Sequence, residues 1–149
     1  MKRILAALLV ITCAVCLTAC NSSKLIPNGT YHVEYDTCDA TGYKDFVEVT
    51  FENGTIIDVK MDAIRGSDGT LKSESEEYRE DMEKFSNTYP EKYYMDLINQ
   101  YILTGSSKGV DVVAGATATS NSILKLLKAL EDSFKSGCTD TMIIVPRNS

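Results

Sequence analysis

Val47-Glu48-Val49-Thr50-Phe51-Glu52-Asn53-Gly54-Thr55-Ile56-Ile57-Asp58-Val59 is the stretch that decides the fold. Apolar and polar residues alternate on both sides of Asn53-Gly54, which reads as two half-buried antiparallel strands joined by a tight turn. Val47, Val49 and Phe51 share one face of the first strand; Ile57, Val59 and Met61 share one face of the second. Because strand side chains alternate, a slip of one residue would carry a whole apolar set to the wrong face. A two-residue turn at Asn53-Gly54 sets Val49 opposite Asp58 and mixes the faces. A three-residue loop, Glu52-Asn53-Gly54, instead pairs Val49 with Ile57 and Val47 with Val59. The register therefore predicts a type I turn with a left-handed Gly54 making a bulge. Asn53-Gly54-Thr55 and Asn28-Gly29-Thr30 also spell glycosylation acceptors, but both read better as turns.

Upstream, Pro27-Asn28-Gly29 is a turn signal, and Tyr31, Val33 and Tyr35 then alternate with His32 and Glu34 as another half-buried strand. Residues 36–44 read as a loop and residues 63–73 as a flexible connection. Helical spacing follows: Ser75 to Asn87 with Tyr78, Met82 and Phe85 on one stripe, then Glu91 to Leu103 with Tyr94, Leu97, Ile98 and Tyr101 inward. A third helix runs from about Ser120 to Ser136, with Ile123, Leu127, Leu130 and Phe134 inward and Gly137 as its cap. Met142 to Val145 reads as a closing strand. The expectation is an α+β domain, an antiparallel sheet with helices on one side.

The N-terminus carries an address. Met1-Lys2-Arg3 is basic and Ile4 to Leu17 has no charged residue, a secretory signal too short to span a bilayer. Leu17-Thr18-Ala19-Cys20 resembles the lipobox of bacterial lipoproteins, which implies cleavage after residue 19, lipidation of Cys20 and an acylated new N-terminus. Two or three acyl chains hold a protein at a membrane stably. The expected organisation is a signal peptide over 1–19, a lipidated tether over 20–27 and one domain over 28–149, held on the extracytoplasmic face. Removing Lys2 and Arg3 from the chain's 15 basic residues leaves 13 against 21 acidic ones, a net charge of −8. So acidic a domain argues against nucleic acid as a partner. Cys38 and Cys138 remain, 100 positions apart, either as a disulfide contributing about 4–5 kcal/mol or as free thiols.

Chemistry concentrates between the second and third helices, where Asp111-Val112-Val113-Ala114-Gly115-Ala116-Thr117-Ala118-Thr119-Ser120 feeds a helix N-terminus. Unpaired N–H groups and the dipole's positive pole suit a phosphate there. Gly115 and the alanines let backbone approach a ligand closely, and Thr117, Thr119 and Ser120 supply hydroxyls. The plain alternative makes Thr119 or Ser120 an N-cap and Gly115-Ala116-Thr117 a tight turn.

Asp111-x-x-Ala114-Gly115-Ala116-Thr117-x-Thr119-Ser120 resembles the flavinylation motif of the FMN-binding domain family. That family includes subunits of the sodium-translocating NADH:quinone reductase and the Rnf complex, and small flavinylated surface lipoproteins. Asn28 to Tyr31 and the 47–59 hairpin resemble the family's opening strand and hairpin, so the likeness extends over residues 28–137. Ala114 departs from the pattern, standing where the family has Ser or Thr. The resemblance implies that a flavin transferase joins FMN by a phosphoester to Thr117, with Asp111 part of what the transferase recognises. Gly115, Ala116, Thr119 and Ser120 complete the expected cofactor-binding set.

The function so implied is a membrane-anchored electron carrier rather than a substrate-converting enzyme. It would take electrons from a membrane quinol or a flavin-linked dehydrogenase and pass them to an external acceptor or partner reductase. The rival is a lipoprotein that binds a ligand or adheres, with Gly115-Ala116-Thr117 only a capped turn. His32 reads as a solvent-facing strand residue, and the acids Glu74, Glu76, Glu77, Glu80 and Asp81 as a solvated helix face. Among the eight tyrosines, Tyr43 and Tyr94 are the candidates to stack on a flavin.

Overall fold

The structure, a computed structural model, describes residues 26–147. The expected signal peptide and Cys20 therefore lie outside the described residues, as does most of the tether.

Three strands form a meander: β1 (Gly29–Tyr35), β2 (Tyr43–Glu52) and β3 (Thr55–Arg65). Three helices follow, α1 (Glu76–Ser86), α2 (Pro90–Thr104) and α3 (Thr117–Ser136), and then a last strand, β4 (Met142–Val145). The sheet order is β3-β2-β1-β4, with β1–β2 and β2–β3 antiparallel. The domain is α+β, but the sheet is mixed. The chain crosses back through its helices and sets β4 parallel to β1, pairing Val33 with Ile143; a helical crossover is what parallel neighbours require.

At the hairpin tip, Gly54 is left-handed as expected (φ 77°), but so is Asn53 (φ 51°). Two successive positive φ values make a two-residue type I′ turn, the one whose twist suits a hairpin. Glu52 pairs with Thr55, not with a residue beyond a three-residue loop. The mixing of faces that this turn threatens is cured one step later. A bulge opposite Thr50/Phe51 leaves Ile57 without a partner, so that Val49 meets Val59 and Val47 meets Met61. Ile57, expected inward, is 57% exposed as a result.

Tyr31, Val33, Tyr35, Val47, Val49, Phe51, Val59 and Met61 make the sheet side of the core. Tyr93, Tyr94, Leu97 and Tyr101 of α2 and Ile123, Leu126, Leu127 and Leu130 of α3 make the helical side. Each such side chain contributes about 1.5–3 kcal/mol when fully buried. Pro90 at the first turn starts α2, and left-handed Gly105 and Gly137 stop α2 and α3. Helix α1 is different. The Ser75 hydroxyl caps it by accepting from Tyr78 N–H, but none of its residues is buried, and Phe85, expected inward, is 86% exposed. Nor is 63–73 a loose connection: β3 continues to Arg65, Leu71 bridges to Ile64, and Lys72 is buried.

Candidate functional site

Thr117 opens α3, three residues before the start expected at Ser120. The N-cap is Ala116, and no side chain caps the helix. Alanine offers no acceptor and is a poor N-cap. The first backbone N–H to reach back is that of Ser120, which donates to Ala116 O at 2.9 Å. Those of Thr117, Ala118 and Thr119 have no partner among the described residues. At the positive end of a 20-residue helix they form a place for an anion. Neither Thr119 nor Ser120 is the N-cap that the plainer reading required.

The fold separates the three hydroxyls. Thr117 is exposed. Thr119 is partly covered and lies beside the buried Tyr93 phenol, whose hydroxyl makes no hydrogen bond of ordinary length and angle. Ser120 is fully buried, its Oγ accepting from Val113 N–H at 3.1 Å and donating to Ala116 O at 2.9 Å. Ser120, expected among the cofactor contacts, thus has its hydroxyl committed to tying the turn to the helix.

Gly115 has φ +80°, and a Cβ there would lie 2.5 Å from Ser86 O and 3.0 Å from Thr88 Cγ2. The close approach expected of this glycine is therefore to its own chain, the link between α1 and α2. Ala116 is buried beneath the turn and Ala114 is exposed. Gln100 clamps the backbone of Asp111, accepting from its N–H at 2.7 Å and donating to its carbonyl at 3.5 Å. The Asp111 side chain is left exposed.

Beneath the first turns of α3 lies a buried polar cluster that sequence patterning missed. Asp45 is 2% exposed; burial pushes its carboxyl above the ordinary value, against the opposing pull of Lys72, Ser122 and Arg147. Lys72 is also buried, its Nζ 4.7 Å and 4.9 Å from the ring centres of Tyr43 and Tyr78 and 3.9 Å from Asp39 Oδ2. Burial likewise raises the Tyr93 and Tyr94 phenols, which stay neutral. Alternation could place Asp45 on the core face with Val47, but a polar residue at such a position reads as a strand end.

Tyr43 and Tyr94, the expected stacking partners, are both buried and occupied: Tyr43 by Lys72, Arg65 and Tyr78, Tyr94 by Tyr93. An exposed ring near the Gly115 turn is Phe85, adjacent in sequence to the Ser86 that packs on Gly115. His32 lies on the far face of the sheet, partly covered rather than open to solvent. It stacks on Phe46 and sits 3.0 Å from Glu48 and 3.2 Å from Glu34. Cys38 and Cys138 are free thiols.

An exposed hydroxyl stands at an uncapped helix start, where backbone N–H groups suit a phosphate, and the comparisons point to an FMN-binding domain. The FMN-binding domain family matches residues 42–131. The "15 kDa lipoprotein" of Treponema pallidum (strain Nichols) is 39% identical over 130 residues, which covers 87% of this chain and 91% of that one. A Clostridium perfringens protein known from its crystal structure superposes with a TM-score of 0.73 at 29% identity, covering 80% of this chain and 98% of that one. The chain belongs to the FMN-binding domain family.

Proposed function

We propose that this chain is a lipid-anchored extracytoplasmic flavoprotein that carries FMN as a phosphoester on Thr117 and relays electrons. One observation carries the reading. Of the three hydroxyls in the motif, Thr117 alone is exposed, and it stands at three backbone N–H groups that nothing among the described residues caps. Those groups would hold the phosphate, and the dipole of α3 would lower the cost of its charge. Ser120 and Gly115 have positioning roles, fixing the turn to α3 and to the α1–α2 link. Asp111, exposed with its backbone clamped, is suitably placed to be read by a flavin transferase. Phe85 offers an apolar surface beside the turn.

The bound flavin would supply one- and two-electron redox chemistry, with the protein setting its position and surroundings. A covalent tether prevents loss of the cofactor outside the cell. The lipidated cysteine of the reading is Cys20, and a relative named as a lipoprotein supports it. A membrane quinol or flavin-linked dehydrogenase is the proposed donor, and an external acceptor or reductase the proposed recipient.

The test is the intact mass of protein made with an active flavin transferase. It should exceed that of the lipidated polypeptide by one FMN less one water, and the denatured protein should stay yellow. Thr117→Val should abolish the added mass and keep the fold, whereas Thr119→Val should keep the flavin. Flavin on Thr119 would refute the residue assignment. No flavin on either, with the transferase active on another substrate, would refute the flavoprotein reading.

A further inference from the structure

The C-terminal end of α2 and the tip of the β2–β3 hairpin enclose an uncharged groove in which Ile26, Phe51, Ile56, Ile102 and Leu103 are joined by Thr55, Thr104 and backbone of Gly54 and Gly105. No charged side chain lines it, in a chain where 24% of residues are charged. Leu103 is 84% exposed and Ile102 49%, two adjacent large aliphatic side chains facing solvent. The exposed acids of α1 lie elsewhere, on a helix that contributes nothing to the groove.

The chain enters the domain at this groove. Ile26 is one of its walls, and the entry is pinned there: Tyr31 donates from its hydroxyl to Pro27 O at 3.0 Å, and Asn53 N–H donates to Asn28 Oδ1 at 2.7 Å. Cys20 is six residues before Ile26, and six extended residues reach about 20 Å. We infer that the Ile26–Ile56–Ile102–Leu103 groove rests on the bilayer that holds the acyl chains of Cys20, an inference that depends on the lipoprotein reading above. With no charged side chain in its lining, the groove itself meets little repulsion from an anionic leaflet, and the exposed Glu52 at the hairpin tip flanks it.

An orientation follows. The groove lies at the C-terminal end of α2, while the Gly115 turn packs against Ser86 and Thr88, just before the N-terminal end of the same helix. Fifteen helical residues span about 20 Å, so Thr117 faces away from the lipid, toward partners in the extracytoplasmic space.

The chain contains no tryptophan, so one can be introduced as a lone reporter. The full chain with Leu103→Trp, and separately with Phe85→Trp, is made in a lipidating host without flavin transferase. Each is reconstituted into phosphatidylcholine–phosphatidylglycerol vesicles with and without brominated acyl chains. The expected result is emission at position 103 that is blue-shifted and quenched at least threefold by brominated lipid, with position 85 quenched little. Equal, weak quenching at both positions in protein that floats with the vesicles would overturn the inference and leave the lipoprotein reading standing. Quenching at 85 in place of 103 would overturn it too, since the molecule would then dock by its opposite end. Failure to float would remove the anchor and the inference together. Dimers in detergent with position 103 shielded would assign the groove to a second copy and overturn it.

Discussion

Gly115→Ala separates two reasons for having a glycine in the turn before α3. Gly115 and Gly69 have nearly the same backbone, φ +80° and +79°. An alanine at either position meets the left-handed penalty, roughly 1–2 kcal/mol for an L residue. At Gly69 nothing lies within 4 Å of the added Cβ, so the backbone term stands alone. At Gly115 the Cβ would be 2.5 Å from Ser86 O and 3.0 Å from Thr88 Cγ2, and Ser86 O belongs to backbone that cannot rotate aside. Forcing an extra carbon into packed structure costs about 1–3 kcal/mol more. Gly69→Ala should therefore destabilise the domain by about 1 kcal/mol and Gly115→Ala by about 3 kcal/mol. A few kcal/mol is a large share of the 5–15 kcal/mol typical of a domain. Urea titration of parent and variants, read as midpoint shifts at constant slope, measures both. Equal losses would refute the packing of this turn on the α1–α2 link. A Gly115→Ala domain as stable as the parent would refute the left-handed turn itself. Because the clash lifts the turn off its support, flavinylation of Gly115→Ala should fall further than that of Gly69→Ala.

Gly54→Val should cost about 1–2 kcal/mol or more, since the type I′ turn puts that residue at φ 77° and a β-branched side chain resists positive φ; an unchanged urea midpoint would contradict the turn. Asp45→Asn should show a pH signature. Burial raises the folded carboxyl above its ordinary 3.8, so the folded state binds more protons and the stability contributed by Asp45 is lost as pH rises from about 4. The difference in unfolding free energy should thus move in favour of Asp45→Asn as pH increases from 4 to 7; a constant difference would show that Asp45 is not desolvated.

Much of the fold was legible because local pattern and burial agree. Tyr31, Val33 and Tyr35 alternate and are buried; Leu97, Tyr101, Ile123, Leu127 and Leu130 recur at helical spacing and are buried too. Where one face is clearly apolar and one clearly polar, periodicity reports which way a side chain points. The flavin family was legible for a related reason. A phosphate at a helix start needs a short run of small residues and a hydroxyl, and those are contiguous in sequence.

Tertiary structure decided what depends on residues far apart in the chain. The direction of β4 is set by the return path through α1, α2 and α3, which no pattern within Met142–Val145 encodes. The bulge at Ile57 reconciles a two-residue turn with a one-sided core, a compromise visible only when both strands are paired. Helix α1 has an apolar stripe but lies at the margin of the domain, so Phe85 at its end stays in solvent. Asp45 and Lys72 are both buried, close enough that Lys72 favours the charged form of Asp45, because elements distant in sequence close over them. At the candidate site itself, residue type alone offered three hydroxyls, Thr117, Thr119 and Ser120, and only the family resemblance singled out Thr117. The start of α3 at Thr117 separates them: successive helical residues point about 100° apart, so Thr119 turns toward Tyr93, Ser120 turns into the core, and Thr117 is left facing solvent.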